Sequence, residues 1–323
     1  MRAFRLSPQF LLVLLAACSN DDETTMTSDD ALLTEATPSQ ADLVARGEYL
    51  VSNVGGCSDC HTPRGPMGMP IQSQYLAGAE CFIRLENGGC LNTSNLTNHT
   101  TGLMSRTDAE IRRMLVDGVR PTANGDELLY PIMASFVLHN MRDQDIDAII
   151  AYLRTVPGVE HTVPRRAPEF DPLAPANPLD VDAIPQPPAD YEQRESALRG
   201  RYLAAEAGAC IICHTPRDLQ SPDILDYTRF FTGNEQFDVG LPEVSVARNI
   251  TPDVATGLAD WTPQDIVNVI KQGKDKSGAG ICPPMLGLFA GLTDADALDI
   301  AHYIKSLPAA PGLVEDSCVF SPM

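Results

Sequence analysis

Two five-residue stretches of this chain place two thiols and an imidazole at fixed spacing: Cys57-Ser58-Asp59-Cys60-His61 and Cys210-Ile211-Ile212-Cys213-His214. On one helical turn, side chains three and four residues apart share a face. Each stretch can therefore present both sulfurs and the ring nitrogen to one ligand. The chemistry this suits is c-type haem attachment, in which the thiols add to vinyl groups as thioethers and the histidine ligates iron. Two other chemistries share part of the pattern. A redox dithiol uses Cys-x-x-Cys without needing the histidine. A structural zinc site needs two further ligands, and the second stretch has no other close cysteine pair near it.

A haem iron held by one histidine has a sixth position to fill or leave open. Met133 lies 72 residues after His61 and Met285 lies 71 after His214, each closing a Pro-x-Met triplet before the last helical stretch. Met/His ligation raises the potential and closes the site. The alternative is a methionine that fills a gap in the core. Other candidates are less well placed. Met141 is in register with Leu292 and reads as core. His139 could compete for the first iron, but its counterpart is Ala290. His99 and His302 read as solvated, and His161 falls in a connecting segment.

These residues recur because the chain repeats itself. Arg46-Gly47-Glu48-Tyr49-Leu50 returns as Arg199-Gly200-Arg201-Tyr202-Leu203, and Asn95-Leu96-Thr97 returns as Asn249-Ile250-Thr251. Thr101-Gly102-Leu103 returns as Thr256-Gly257-Leu258, and Asp145 with Tyr152 returns as Asp296 with Tyr303. Order and spacing persist, which marks a duplicated unit. The expected division is a signal peptide over 1–17, an acidic tether over 18–43, a first domain over 44–157, a linker over 158–194, a second domain over 195–308 and a tail over 309–323. The linker carries eight prolines in 37 residues, which makes it semi-rigid. It either holds the units apart or packs along them.

Within each unit the apolar spacing is helical. Ile146, Ile149, Ile150 and Leu153 follow one helix face, as do Ala297, Ile300, Ile304 and Leu307. Ile111–Val116 and Ile266–Ile270 suggest a further helix in each unit. No paired alternating strands are legible. The expected class is all-α, with two tandem haem domains joined by the Pro-rich linker.

The N-terminus begins with Arg2 and Arg5, then a short apolar run ending Leu15-Ala16-Ala17-Cys18. The run is too short to span a bilayer. It resembles a bacterial lipobox, in which Cys18 is lipidated and becomes the first mature residue. Ser19 rather than Asp after the cysteine resembles the outer-membrane pattern of enteric lipoproteins. The formal charge is −20, which repels phosphates and argues against a nucleic-acid partner. A multi-span transporter is excluded, because only this segment could enter a membrane.

On these motifs each unit resembles a class I cytochrome c domain. The closest likeness is to the repeated cytochrome c subunits of periplasmic alcohol, sorbitol and gluconate dehydrogenases. Arg-Gly-x-Tyr-Leu, Cys-x-x-Cys-His-Thr-Pro-Arg, Asn-Leu/Ile-Thr, Thr-Gly-Leu and Pro-x-Met carry that resemblance. It implies two covalently bound haem c groups and electron transfer between a redox donor and an acceptor. It also implies a Gly–aromatic helix crossing of Gly47 with Tyr152 and Gly200 with Tyr303. Trp261 matches a family tryptophan near a haem edge, and Arg106 stands there in the first unit, either on a propionate or simply exposed. Such subunits often carry three haems, whereas this chain has two motifs.

Export places the remaining cysteines in an oxidising compartment. Cys81 and Cys90 read as a local disulfide, and Cys282 with Cys318 as a bridge pinning the tail. The rival is a cysteine thiolate as a sixth haem ligand. Lys271, Lys274 and Lys276 form either a docking patch for an acidic partner or a helix end complementing its dipole. The sequence therefore points to a lipid-anchored diheme electron carrier on the periplasmic side of the envelope, with no catalytic residues. The rivals are a diheme enzyme of peroxidase or thiosulfate dehydrogenase type, and a haem gas sensor with one open iron.

Overall fold

Helices frame both halves of the protein for reasons visible in the local sequence. The first half contains α1 (Gln40–Tyr49), α2 (Cys57–His61), α3 (Asp108–Val116), α4 (Ser135–Leu138) and α5 (Asp143–Leu153). The second contains α6 (Arg194–Ala205), α7 (Cys210–His214), α8 (Pro263–Gln272) and α9 (Asp294–Ser306). This is a computed structural model. It describes residues 38–312 other than 66–67, 85–87, 132, 134, 172–176, 209, 218–224, 234–235, 239–243, 282–284 and 286. Capping boxes start α1 at Ser39, α3 at Thr107 and α8 at Thr262, each satisfying otherwise orphaned backbone donors. The apolar stripes of α5 and α9 are buried, including Ile146, Ile149, Ile150, Ile300 and Ile304. Among the described residues, no helix is long and apolar enough to cross a membrane.

In each half the first helix crosses the last with backbone against backbone. A Cβ on Gly47 would lie 1.9 Å from the carbonyl oxygen of Ala148, and one on Gly200 1.9 Å from that of Asp299. Only glycine permits this approach. The Tyr152 Cβ also meets Gly47. At Gly200 the three nearest atoms belong to Asp299 and Ile300, while the Tyr303 hydroxyl donates to Pro185 O at 3.0 Å.

The all-α expectation is corrected by three antiparallel hairpins among the described residues: β1 (Ile83–Arg84) with β2 (Cys90–Leu91), β3 (Val119–Thr122) with β4 (Gly125–Leu128), and β5 (Gln236–Asp238) with β6 (Val244–Val246). Strands of two to four residues are too short to show alternation, yet they satisfy the backbone of long loops. The β3–β4 turn runs through Asn124 into Gly125, whose φ of +111° suits glycine.

The picture of tandem domains on a linker is corrected as well. The described residues from Pro38 to Gly312 fall in one compact unit. The Pro-rich stretch contributes Phe170, Leu179 and Ile184 to the buried core. Its backbone is hydrogen-bonded to both halves. Leu179 N donates to Phe136 O (3.0 Å), Asn140 donates to Leu179 O (3.0 Å), and Asp180 N donates to the Tyr227 hydroxyl (2.9 Å). The Arg201 guanidinium donates to the carbonyls of Val181 and Ile184. Packing of this kind depends on tertiary partners that composition does not reveal. The expected signal peptide, the lipidated Cys18, tether residues 18–37, the Cys282–Cys318 bridge and tail residues 313–323 lie outside the described residues. Within the stretch read as tether, α1 already begins at Gln40.

Candidate haem-attachment sites

Both Cys-x-x-Cys-His stretches form a single helical turn, α2 and α7. Each histidine is fixed by the same bond. His61 Nδ1 donates to Ser94 O, and His214 Nδ1 donates to Arg248 O, both at 2.7 Å. A carbonyl only accepts, so the proton resides on Nδ1 and Nε2 keeps its lone pair. Burial pulls both imidazoles below their ordinary value, against the opposing pull of the carbonyl. Both rings are thus neutral at pH 7. A neutral ring oriented by a backbone carbonyl is the second-sphere arrangement of metal-ligating histidines.

The loop beyond each turn is held identically. Gly78 N donates to His61 O and Gly233 N to His214 O, both at 2.7 Å. The hydroxyl of Thr62 accepts from Leu76 N (3.1 Å), and that of Thr215 accepts from Phe231 N (3.3 Å). Leu76 and Phe231 adopt left-handed φ of +58° and +60° with fully buried side chains. Non-glycine residues there carry local strain. Sequence reading missed this pair, because neither residue type favours that conformation.

The thiols test the alternatives. Burial pushes Cys57 and Cys210 up to about 12 and Cys60 up to about 11. A reactive dithiol needs the opposite, a lowered thiol pKa. Cys57, Cys60 and Cys210 are in no disulfide. Among the described residues, no group of three or more His, Cys, Asp or Glu converges on a metal position. Half-buried, protonated thiols one turn apart, beside a neutral imidazole, fit thioether attachment of haem c.

Met133 sits in the bend before α4, its N–H donating to Tyr130 O (2.9 Å) and its carbonyl accepting from Ser135 N (2.6 Å). Met285 occupies a turn before α9. Both are half-buried and pack against the core that also receives Cys57 and Cys210. The remaining candidates have other partners. Met141 is core. His139 is exposed and contacts Val116 O (3.1 Å), His99 contacts Thr101 and His302 contacts Ser196. His161 contacts Ala77 O at 2.9 Å, so the Pro-rich stretch braces the loop that holds His61.

The repeated Asn-Leu/Ile-Thr triplet is a clamp. Asn95 Oδ1 accepts from Thr97 N and Oγ1, while its Nδ2 donates to Val159 O (2.9 Å). Asn249 bonds Thr251 in the same way and donates to Ala310 O (2.8 Å). Each triplet fastens the chain leaving the last helix to the loop beside the attachment turn. Arg106 donates to Pro121 O and pairs with Glu110. Lys276 lies 5.9 Å from the Trp261 ring centroid and pairs with Asp260, and Lys271 pairs with Asp294. Two of the three clustered lysines are thus engaged within the chain. A disulfide joins Cys81, two residues before β1, to Cys90, the first residue of β2.

No protein-family model matches the chain. Individual relatives do. The fructose dehydrogenase cytochrome subunit of Gluconobacter japonicus is 30% identical over 289 residues, covering 85% of this chain and 55% of that one. The cytochrome c subunit of the quinone alcohol dehydrogenase of Gluconacetobacter polyoxogenes is 30% identical, covering 83% and 57%. The gluconate 2-dehydrogenase cytochrome c subunit of Pantoea cypripedii is 29% identical, covering 83% and 60%. The relatives with which the chain aligns are c-type cytochrome subunits, and that similarity implies covalently bound haem c. More narrowly, the chain is a homologue of these dehydrogenase cytochrome c subunits over 83–85% of its length, as the repeated motifs led us to expect. It spans 55–60% of the length of those relatives.

Proposed function

We propose that this protein is a diheme electron carrier of the bacterial envelope, lipid-anchored at Cys18, and a partner or subunit of a periplasmic dehydrogenase or respiratory chain. The observation that carries the reading is the paired geometry at His61 and His214, each with Nδ1 on a carbonyl and Nε2 left to ligate. Haem c, when bound, supplies a one-electron couple at each site. Cys57 and Cys60 would tether one group, and Cys210 and Cys213 the other. Met133 and Met285 would supply thioether sulfur at the sixth positions and keep them closed to small ligands. The surrounding core half-buries these side chains, and the carbonyl clamps on the histidines hold their ligating nitrogens in place. On this reading the chain itself transforms no substrate. The dehydrogenase partnership is supported by the relatives' names.

The test is carbon monoxide binding to the dithionite-reduced holoprotein, with a haem count on the same sample. Two haems and no spectral shift are expected. A shift in about half the haem would reveal one open iron and replace the carrier with an enzyme or gas sensor.

A further inference from the structure

The two halves cap each other. The Tyr49 hydroxyl of the first half donates to Asp296 Oδ2 (2.5 Å) and accepts from Thr293 N (3.2 Å), at the start of α9 in the second half. The Tyr202 hydroxyl of the second half donates to Asp145 Oδ2 (2.6 Å) and accepts from Arg142 N (3.3 Å), at the start of α5 in the first half. Tyr49 and Tyr202 are repeat equivalents, and so are Asp145 and Asp296. Thr293 accepts from Asp296 N at 3.0 Å, but the Asp296 carboxylate reaches Tyr49 instead of closing a capping box.

This junction lies beside the attachment turns. A Cβ on Gly208, two residues before Cys210, would sit 3.5 Å from Val54 O, three residues before Cys57. A Cβ on Gly56 would sit 3.3 Å from the Leu288 side chain, three residues after Met285. Gly291 is pressed against the Asn53 side chain. The segments leading into both turns, and the segment following one methionine, therefore meet at a single seam.

The two fastenings are unequal. Asp145 is 10% exposed and is also held by Arg46 through two bonds of 2.8 and 3.0 Å. Tyr202 is buried, with the Arg142 guanidinium 4.1 Å from its ring centroid. Asp296 and Tyr49 are only half-buried. Arg199, the equivalent of Arg46, pairs with Asp299 instead. Charge-assisted bonds in a buried setting are the stronger ones.

We propose that this seam is a built-in electron junction between the two haem sites, with Tyr202–Asp145–Arg46 as its fixed fastening and Tyr49–Asp296 as its yielding one. The inference rests on the two-haem reading above. One electron leaves the reduced site and arrives at the oxidised one, and no bond or proton changes hands. The chain's part is to hold the spacing, on which such transfer depends steeply. Tyr49 and Tyr202 are positioning residues.

The experiment uses the full-length holoprotein. One site is reduced by a light pulse, and electron exchange with the other is followed in the wild type, Tyr49→Phe, Tyr202→Phe and the double variant. Removing a hydrogen bond to a charged group should lower the weight of the closed seam by about tenfold for Tyr202→Phe. Exchange should slow accordingly, less for Tyr49→Phe and most for the double variant. Each site's own absorption spectrum and potential should stay unchanged. Amide hydrogen exchange should accelerate at Arg142 in Tyr202→Phe and at Thr293 in Tyr49→Phe. Wild-type exchange rates in the double variant would overturn the junction and leave the carrier standing. Should Tyr202→Phe not fold, Tyr49→Phe decides alone: faster amide exchange at Thr293 with an unchanged electron rate would overturn the proposal. A chain that takes up no haem would overturn both readings.

Discussion

The first and second halves build the same attachment turn from different surroundings. What they share is the Nδ1–carbonyl bond, the Thr62/Thr215 hydroxyl on a left-handed residue, the Asn95/Asn249 clamp and the glycine at the helix crossing. What differs lies one layer out. Beside the first crossing, the Tyr75 hydroxyl meets those of Ser52 (3.0 Å) and Tyr152 (3.4 Å). Beside the second, Phe230 stacks on Phe231 with centroids 4.1 Å apart, and Tyr303 meets both edge-on. A disulfide closes the first hairpin, and Gln236 stands opposite Cys81 in the second. The shared set defines what orienting the histidine requires. The differing layer is free to vary polarity and stiffness around each site.

The strongest break of that comparison is at the crossings. Gly47→Ala and Gly200→Ala each drive a methyl into a backbone carbonyl, and each should destabilise by about 3 kcal/mol or more. Thermal unfolding of the holoprotein checks this, and tolerance in one half alone would show that the crossings are not equivalent. Next comes the disulfide. Replacing Cys81 and Cys90 by Ser should cost about 2.5 kcal/mol by the loop-entropy account of a nine-residue closure. Denaturant midpoints measure it, and amide exchange should rise around Ala79–Leu91 while the second half keeps its protection.

The smallest effect concerns acid. Burial pushes Asp145 up, but the bonds from Arg46 and Tyr202 together outweigh it and hold the carboxyl below its ordinary 3.8. A carboxyl lowered in the folded state contributes stability in full above its unfolded value, and that contribution is lost as pH falls through the folded value. Asp145→Asn should therefore flatten the loss of stability below pH 3.8. Urea midpoints collected across the acid range would show an unchanged slope if Asp145 does not contribute.

The helices and the site were legible where the signal is periodic or chemical. Ile146–Leu153 and Ile300–Leu307 announced α5 and α9 by spacing, and the two Cys-x-x-Cys-His motifs were read by residue type as candidate haem turns, which fold as α2 and α7. The hairpins were not legible, because strands this short show no period. The Pro-rich stretch read as a linker because Ile184 and Leu179 are ordinary apolar residues whose pockets lie elsewhere in the chain. The repeated tyrosine was visible in sequence. Its partner was not, because Asp296 lies in the other half, 247 residues away. Leu76 and Phe231 left no trace, since a strained backbone is imposed by the fold rather than favoured by the residue.

The reciprocal tyrosines have a consequence for how such a chain can change over generations. Two identical subunits facing each other across a symmetry axis must carry every substitution twice, once at each symmetric position. Joined head to tail in one gene, the same two surfaces carry a substitution once. Arg142 can then hold the N-cap position of α5 with its guanidinium over the Tyr202 ring and no side-chain cap bond, while Thr293 caps α9 with its hydroxyl, and a disulfide can stiffen one side only. Fusion preserves the matching contacts that hold the pair together and releases the two sides to become different, which a symmetric dimer encoded once could not do.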